Sequence, residues 1–260
     1  MRRRNWTVPY ALFLIIFVVM PLLLIVVYAF TDAEGAFTFA NFRKFMMHPE
    51  SINTFVYSIG IAVITTLVCL LLGYPAAYIL SQKRFNTSQT MVVLFILPMW
   101  VNILIRTLAT VALFDFLNLP LGEGALVFGM VYNFLPFMVL PIYTVLIKLD
   151  RRLIEAAQDL GAPTHLVFRR VIVPLSIPGV ISGITMVFVP SVSTFVISQM
   201  LGSGKNLLIG DLIDLQFMGG AYNPHLGSAI ALVMMLLIFL CMWIMNKFDD
   251  GSGEEGGLLL

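Results

Sequence analysis

Residues 8–30 contain no Asp, Glu, Lys, Arg or His, and nearly as apolar stretches recur at about 52–80, 91–114, 125–147, 176–200 and 227–246. An α-helix needs about 20 apolar residues to cross the hydrocarbon of a bilayer. Inside lipid every backbone amide and carbonyl must be bonded within the protein, which leaves helices as the form such runs can take. The sequence therefore predicts an all-α membrane protein, a bundle of six transmembrane helices forming one domain over residues 1–247. Composition agrees: 60% of residues are apolar and 11% are charged, against about a quarter charged in soluble domains. Val27-Tyr-Ala29 loosely resembles a signal-peptidase site. The first run is nevertheless longer than the roughly 7–15 apolar residues of a signal peptide, so it is read as a retained span. Cys69 and Cys241 both sit in apolar runs and imply no disulfide framework.

Between the runs lie an extramembrane segment with room for a short helix (31–51), two short loops (81–90 and 115–124), a cytoplasmic loop (148–175) and a long polar-aromatic loop (202–226) that is open to a re-entrant stretch. The Gly-rich residues 248–260 read as a flexible tail. Net charge is +1, so the information is in where the charges fall. With six spans, one side holds Arg2, Arg3, Arg4, Lys83, Arg84, Lys148, Arg151, Arg152, Arg169, Arg170 and Lys247, and the other holds Arg43, Lys44 and Lys205. The excess of Lys and Arg puts both termini and the 148–175 loop in the cytoplasm. Pro98, Pro136, Pro141, Pro178 and Pro190 fall inside spans, where each removes an amide donor and favours a bend.

The 148–175 loop is itself patterned. Asp150 can cap a helix from Arg151 to about Leu160, Gly161 can supply a left-handed terminating residue, and Pro163 forbids resumption. Leu153, Ile154, Ala157 and Leu160 share one side of that helix; Arg151, Glu155, Gln158 and Asp159 share the other. The helix is too short and too charged to cross a bilayer, so it lies outside the lipid. It either rests on headgroups or offers a face to a partner.

Spacing favours the partner. Glu155-Ala156-Ala157, Gly161 after three residues, and Val171-Ile-Val-Pro174 after nine more resemble the Glu-Ala-Ala loop of bacterial ABC importer permeases, with Val at 171 and 173 where that pattern has Ile and Leu. The resemblance implies the type I ABC importer permease fold and a coupling helix seated in a cytoplasmic ATPase. Glu155, Ala156, Ala157, Gly161, Arg151 and Pro174 would carry the contact, with Arg151 a turn away from Glu155 as a charge partner. It further implies an ATPase dimer that binds ATP and Mg, a second permease, an extracytoplasmic binding protein, and a bacterial plasma membrane location. The chain itself would bind no cofactor and would not be an enzyme. Gly202-Ser-Gly-Lys-Asn206 lacks the residues of a phosphate loop, and His48, His165 and His225 lie in separate segments, so neither a nucleotide site nor a metal cluster is expected.

Leu72-Gly-Tyr-Pro-Ala-Ala-Tyr78, Leu97 to Arg106, Leu135 to Tyr143, and Lys205 to Gly210 with Gln216-Phe217 are similar to the permeases of bacterial spermidine/putrescine importers. For a polyamine, carboxylates would meet the ammonium groups and aromatic faces the methylenes. The candidates are Asp115, Glu123, Asp211 and Asp214, with Trp100, Tyr132 and Tyr143 deeper; the plainer reading is loop acids touching the binding protein and core or interface aromatics. Arg106 is an ionisable residue inside a span, expected to pair with an acid such as Asp115, or one on the second permease, as a gate or structural pin. Other readings are an ABC permease for another small solute, or a stand-alone carrier or channel, which would show buried mid-membrane acids.

Overall fold

A computed structural model describes residues 7–47, 49–82, 90–204, 206–220 and 222–250. In chain order the helices are α1 (Thr7–Leu14), a π turn (Ile15–Val19), α2 (Met20–Ala29), α3 (Ala40–Met47), α4 (Pro49–Ser81), α5 (Thr90–Ile96), a 3-10 turn (Leu97–Trp100), α6 (Ile103–Phe116) and α7 (Glu123–Leu146). They continue with α8 (Arg151–Asp159), α9 (Thr164–Val167), a second π turn (Phe168–Ile172), α10 (Val173–Ser193), α11 (Val196–Leu201), α12 (Ile209–Phe217) and α13 (Pro224–Asp250). No strand occurs among the described residues; one isolated bridge joins Thr31 to Phe37. Five helices are long and apolar enough to cross a membrane, and a sixth crossing is available if the bent pair α5/α6 is counted as one.

That bend is the main departure from the expected spans. The run 91–114 is not one straight helix: Thr90–Trp100 and Ile103–Phe116 meet at 94°. Pro98 has no amide hydrogen to continue the ladder, so the chain tightens into the 3-10 turn. Val101 is then extended (ψ 134°), and Asn102 restarts a helix by accepting the Leu104 amide at 2.8 Å. Three other boundaries shift. The fifth helical run begins at Thr164 rather than 176 and ends at Ser193, whose hydroxyl bonds the Val189 and Pro190 carbonyls at 3.2 and 3.4 Å. The 202–226 loop contains α12. The last helix reaches Asp250, into residues expected to be tail. Residues 1–6, 83–89 and 251–260, which include Arg2, Arg3, Arg4, Lys83 and Arg84, lie outside the described residues, as do His48 and Lys205.

The chain divides into two compact units, residues 1–56 with 209–239, and residues 57–208 with 240–260. In the first, Asp32 closes a tight turn by accepting the Glu34 and Ala36 amides at 3.0 and 2.9 Å, and Gly35 takes φ +80°. Buried Asn41 of α3 donates to the Ala29 and Thr31 carbonyls at 3.1 and 2.9 Å, satisfying the end of α2. Both π turns end directly before a Met-Pro or Val-Pro step, at Pro21 and Pro174, where the ordinary ladder would have lost a donor in any case.

The second unit is built around α7 against α10. Gly179 and Gly183 make the close approach possible: a Cβ on Gly179 would stand 3.0 Å from the Pro141 carbonyl oxygen, and one on Gly183 would stand 2.8 Å from Met138 Sδ. Small residues four apart let two helix backbones touch in lipid, where burial of apolar surface gives no drive to associate. Met138, Val139 and Ile142 of α7 are fully or almost fully buried at this seam.

Candidate functional site

The polar segment at 150–174 folds as its residues dictate. Asp150 sits extended (ψ 116°) and its carboxylate accepts the Arg152 amide at 3.0 Å, capping α8. At the other end Gly161 adopts φ +79°. The Gly161 amide donates to the Gln158 carbonyl at 2.8 Å and the Ala162 amide to the Ala157 carbonyl at 3.1 Å. These two bonds are the Schellman closure, which satisfies carbonyls that a helix end leaves free.

Ile154 and Ala157, with Ala162 behind them, pack on the core of the second unit. Arg151, Glu155, Ala156, Gln158 and Asp159 are exposed. Leu153 and Leu160 are exposed as well, at 50% and 89%, so the apolar side does not turn inward as a whole. The reason is geometric: a nine-residue helix that stops at Gly161 aims only two of its apolar side chains, three positions apart, at the body. The outer surface of α8 therefore mixes Leu153, Ala156 and Leu160 with Glu155 and the arginines. No ion pair forms between Arg151 and Glu155 among the described residues, contrary to the expected i, i+4 contact; both heads are in the open, where such a pair gains little. After Gly161 and Pro163 the chain enters α9, the π turn and α10 without a break, with Pro174 in the first turn of α10. α8 is thus followed, after a four-residue link, by a 30-residue helical run.

Arg106, in the first turn of α6, is 7% exposed. Its Nη1 donates to the Asn133 carbonyl on α7 at 3.5 Å, and Nε has no hydrogen-bond partner. Among the described residues no carboxylate meets the guanidinium. The expected pairing with Asp115 is overturned, since Asp115 lies on the same helix nine residues further on, well over two turns away, and is exposed. Asn133, fully buried, donates to the Gly129 carbonyl at 2.8 Å. It was not among the residues expected at the site, although a lone Asn in the apolar run 125–147 is a signal that sequence reading could have used.

The other candidates are not brought together. Trp100 is 85% exposed at the α5/α6 break and Tyr132 is 43% exposed on α7, while Tyr143 is buried in the core of the second unit. Asp115 and Glu123 are exposed at the ends of α6 and α7. Asp211 and Asp214 belong to the first unit; Asp211 is buried in the first turn of α12 and Asp214 is partly exposed.

Residues 70–251 match the family model described as "Binding-protein-dependent transport system inner membrane component". The chain belongs to this family. The matched region contains α8 and every candidate residue considered above. The permease is 35% identical to "Spermidine/putrescine transport system permease protein PotB" of Escherichia coli (strain K12), over 90% of this chain and 95% of that one. It is 33% identical to the protein of the same name from Haemophilus influenzae, over 93% of each. Among solved structures, a chain of the bacterial ABC transporter for import of the acidic polysaccharide alginate superposes with TM-score 0.77 at 13% identity, over 97% of this chain and 98% of that one. One of the inward-facing MetNI methionine ABC transporter gives 0.63 at 16% identity, over 78% and 96%. The likeness of these two is one of fold. The chain is a multi-pass permease subunit of an ABC importer.

Proposed function

We propose that this permease imports polyamines, spermidine or putrescine, and that α8 couples it to a separate cytoplasmic ATPase that binds ATP and Mg. The observation that supports the substrate is the 33–35% identity, over nine-tenths of the chain or more, to permeases named for spermidine/putrescine transport. The capped helix α8, with Glu155 and an apolar stripe of Leu153, Ala156 and Leu160 outward, supports the coupling role. Its short, mixed surface suits a cleft in a partner protein better than a headgroup layer, because the stripe is flanked by acids as well as by arginines.

The assembly in this reading has a second permease, an ATPase dimer and an extracytoplasmic binding protein; a structural neighbour, the alginate transporter, was solved with a periplasmic protein bound. α8 lies on the cytoplasmic side, both termini with it, and residues 1–247 act as one transmembrane domain. Arg106 pins α6 to α7 through the Asn133 carbonyl rather than touching substrate, because a fixed positive charge repels a polycation. Trp100, Tyr132, Tyr143 and Asp115 in the second unit, and separately Asp211 and Asp214 in the first, are the residues proposed for contact with the polyamine.

Purification from the native membrane in mild detergent, followed by reconstitution, tests this. Co-purification of an ATPase and a second permease, with hydrolysis stimulated by spermidine-loaded binding protein, is the expected result. Stimulation by a binding protein loaded with a different solute, and none with spermidine or putrescine, would overturn the substrate. Absence of any ATPase after crosslinking in intact membranes would overturn the coupling role.

A further inference from the structure

Three aromatic rings and a serine join α4 to the π turn that follows α9 and to the first turn of α10. Tyr74 and Tyr78, four residues apart on α4, present the same face. Both rings meet Phe168, the first residue of the π turn, edge to face: Tyr78 with centroids 5.1 Å apart at 77°, and Tyr74 at 5.9 Å and 84°. The Tyr74 hydroxyl and Ser176 Oγ lie 2.8 Å apart, and fully buried Ser176 also donates to the Val173 carbonyl at 2.9 Å. α4 is therefore held at two points, at Phe168 before Pro174 and at Ser176 just after it. Pro75, between the two tyrosines, removes a ladder donor from α4 where the grip is applied.

We infer that Phe168, Tyr74, Tyr78 and Ser176 form a clamp that passes displacement of α8 to α4; the inference rests on the coupling role of α8. The path is short. α8 ends at Gly161, Pro163 fixes the entry to α9, and Phe168 follows seven residues after the glycine. A π turn carries one residue more than an ordinary turn and is a site where a helix can change its winding. Edge-to-face rings and a hydroxyl pair resist rotation of one helix against another, whereas aliphatic contacts slide. These four are positioning residues, and they serve the step between ATPase closure and helix movement.

The test is reconstitution of the whole transporter in liposomes, reading spermidine taken up per ATP hydrolysed. Phe168→Leu keeps apolar volume and removes both ring contacts; the expected result is normal assembly and normal basal hydrolysis with uptake per ATP about tenfold lower, the size set by losing two aromatic pairs. Tyr74→Phe, which removes one oxygen, lowers the same ratio by a smaller factor. An unchanged ratio in assembled Phe168→Leu overturns the clamp. Where Phe168→Leu does not assemble, Tyr74→Phe decides: a lowered ratio supports the clamp and an unchanged ratio overturns it. Gly161→Val, run alongside, separates the two readings. Full uptake in that variant removes the coupling role itself, and the clamp with it, whereas lost uptake there beside an unchanged ratio in the clamp variants removes the clamp alone.

Discussion

Gly161 illustrates how one residue sets a local fold for a backbone reason. Its φ is +79° and a Cβ built there meets nothing within 4 Å, so the restriction comes from the conformation rather than from neighbours. Gly161→Ala is expected to cost about 1–2 kcal/mol at the turn, the left-handed penalty for a side chain. Gly161→Asn should cost less, and Gly161→Val more, because β-branching crowds the same backbone. The expected readouts are near-normal ATP-driven uptake for Asn and loss of uptake for Val with insertion intact. Asp150→Ala removes the cap on α8 and should weaken that helix by about 1 kcal/mol, seen as faster amide exchange over 151–155. Arg106→Ala abolishes the link to the Asn133 carbonyl. At 3.5 Å the contact is longer than a strong charge-assisted bond, so the expected effect is a modest fall in unfolding temperature in detergent, with transport reduced. Unchanged stability and uptake would remove the pin.

At the scale of elements, the seam between α7 and α10 is the most extensive helix contact in the second unit. Gly183→Leu puts a branched side chain where Met138 Sδ is already 2.8 Å from a single added carbon. Overpacking typically costs 1–3 kcal/mol, and here the α7 backbone is also in the way, since the Met138 carbonyl oxygen is 3.1 Å from the same carbon. The expected result is a sharp fall in folded yield after detergent extraction, with Gly183→Ala intermediate. Gly60, where nothing lies within 4 Å, is the control: Gly60→Ala should leave the yield unchanged. The broken pair α5/α6 belongs to this scale too. Its residues have the composition of a straight span, and the break depends on Pro98 and on Asn102 acting as a cap, two signals that mean little until the chain bends.

For the molecule as a whole, the exposed apolar surface identifies the solvent. Leu71, Leu67, Val56, Phe17 and Phe239 are each more than half exposed, as they would be on a protein covered by lipid. The proposed sides, with α8 in the cytoplasm, rest on the Lys and Arg distribution of the sequence and are open to direct test. In a functional variant lacking Cys69 and Cys241, Leu160→Cys should react with a membrane-impermeant maleimide only from the cytoplasmic face, and Phe37→Cys only from the outer face. Labelling of Leu160→Cys from outside would reverse the topology and remove any contact between α8 and a cytoplasmic ATPase.

By itself, the sequence determined the helical membrane class, the apolar runs, and the local chemistry of α8 from its Asp150 cap to its Gly161 terminus, because these depend on residues within a turn or two of one another. It also carried the spacing from Glu155 to Pro174 by which the family is legible. Tertiary structure decided what depends on residues far apart in the chain. It placed the Asn133 carbonyl, not Asp115, at Arg106, packed Gly179 and Gly183 against α7, turned Leu153 and Leu160 outward, and set Phe168 between two tyrosines some ninety residues earlier. Close backbone approach sets the seam, and the buried guanidinium takes the acceptor that the packing of α6 on α7 offers it; neither is a property of any one stretch of chain.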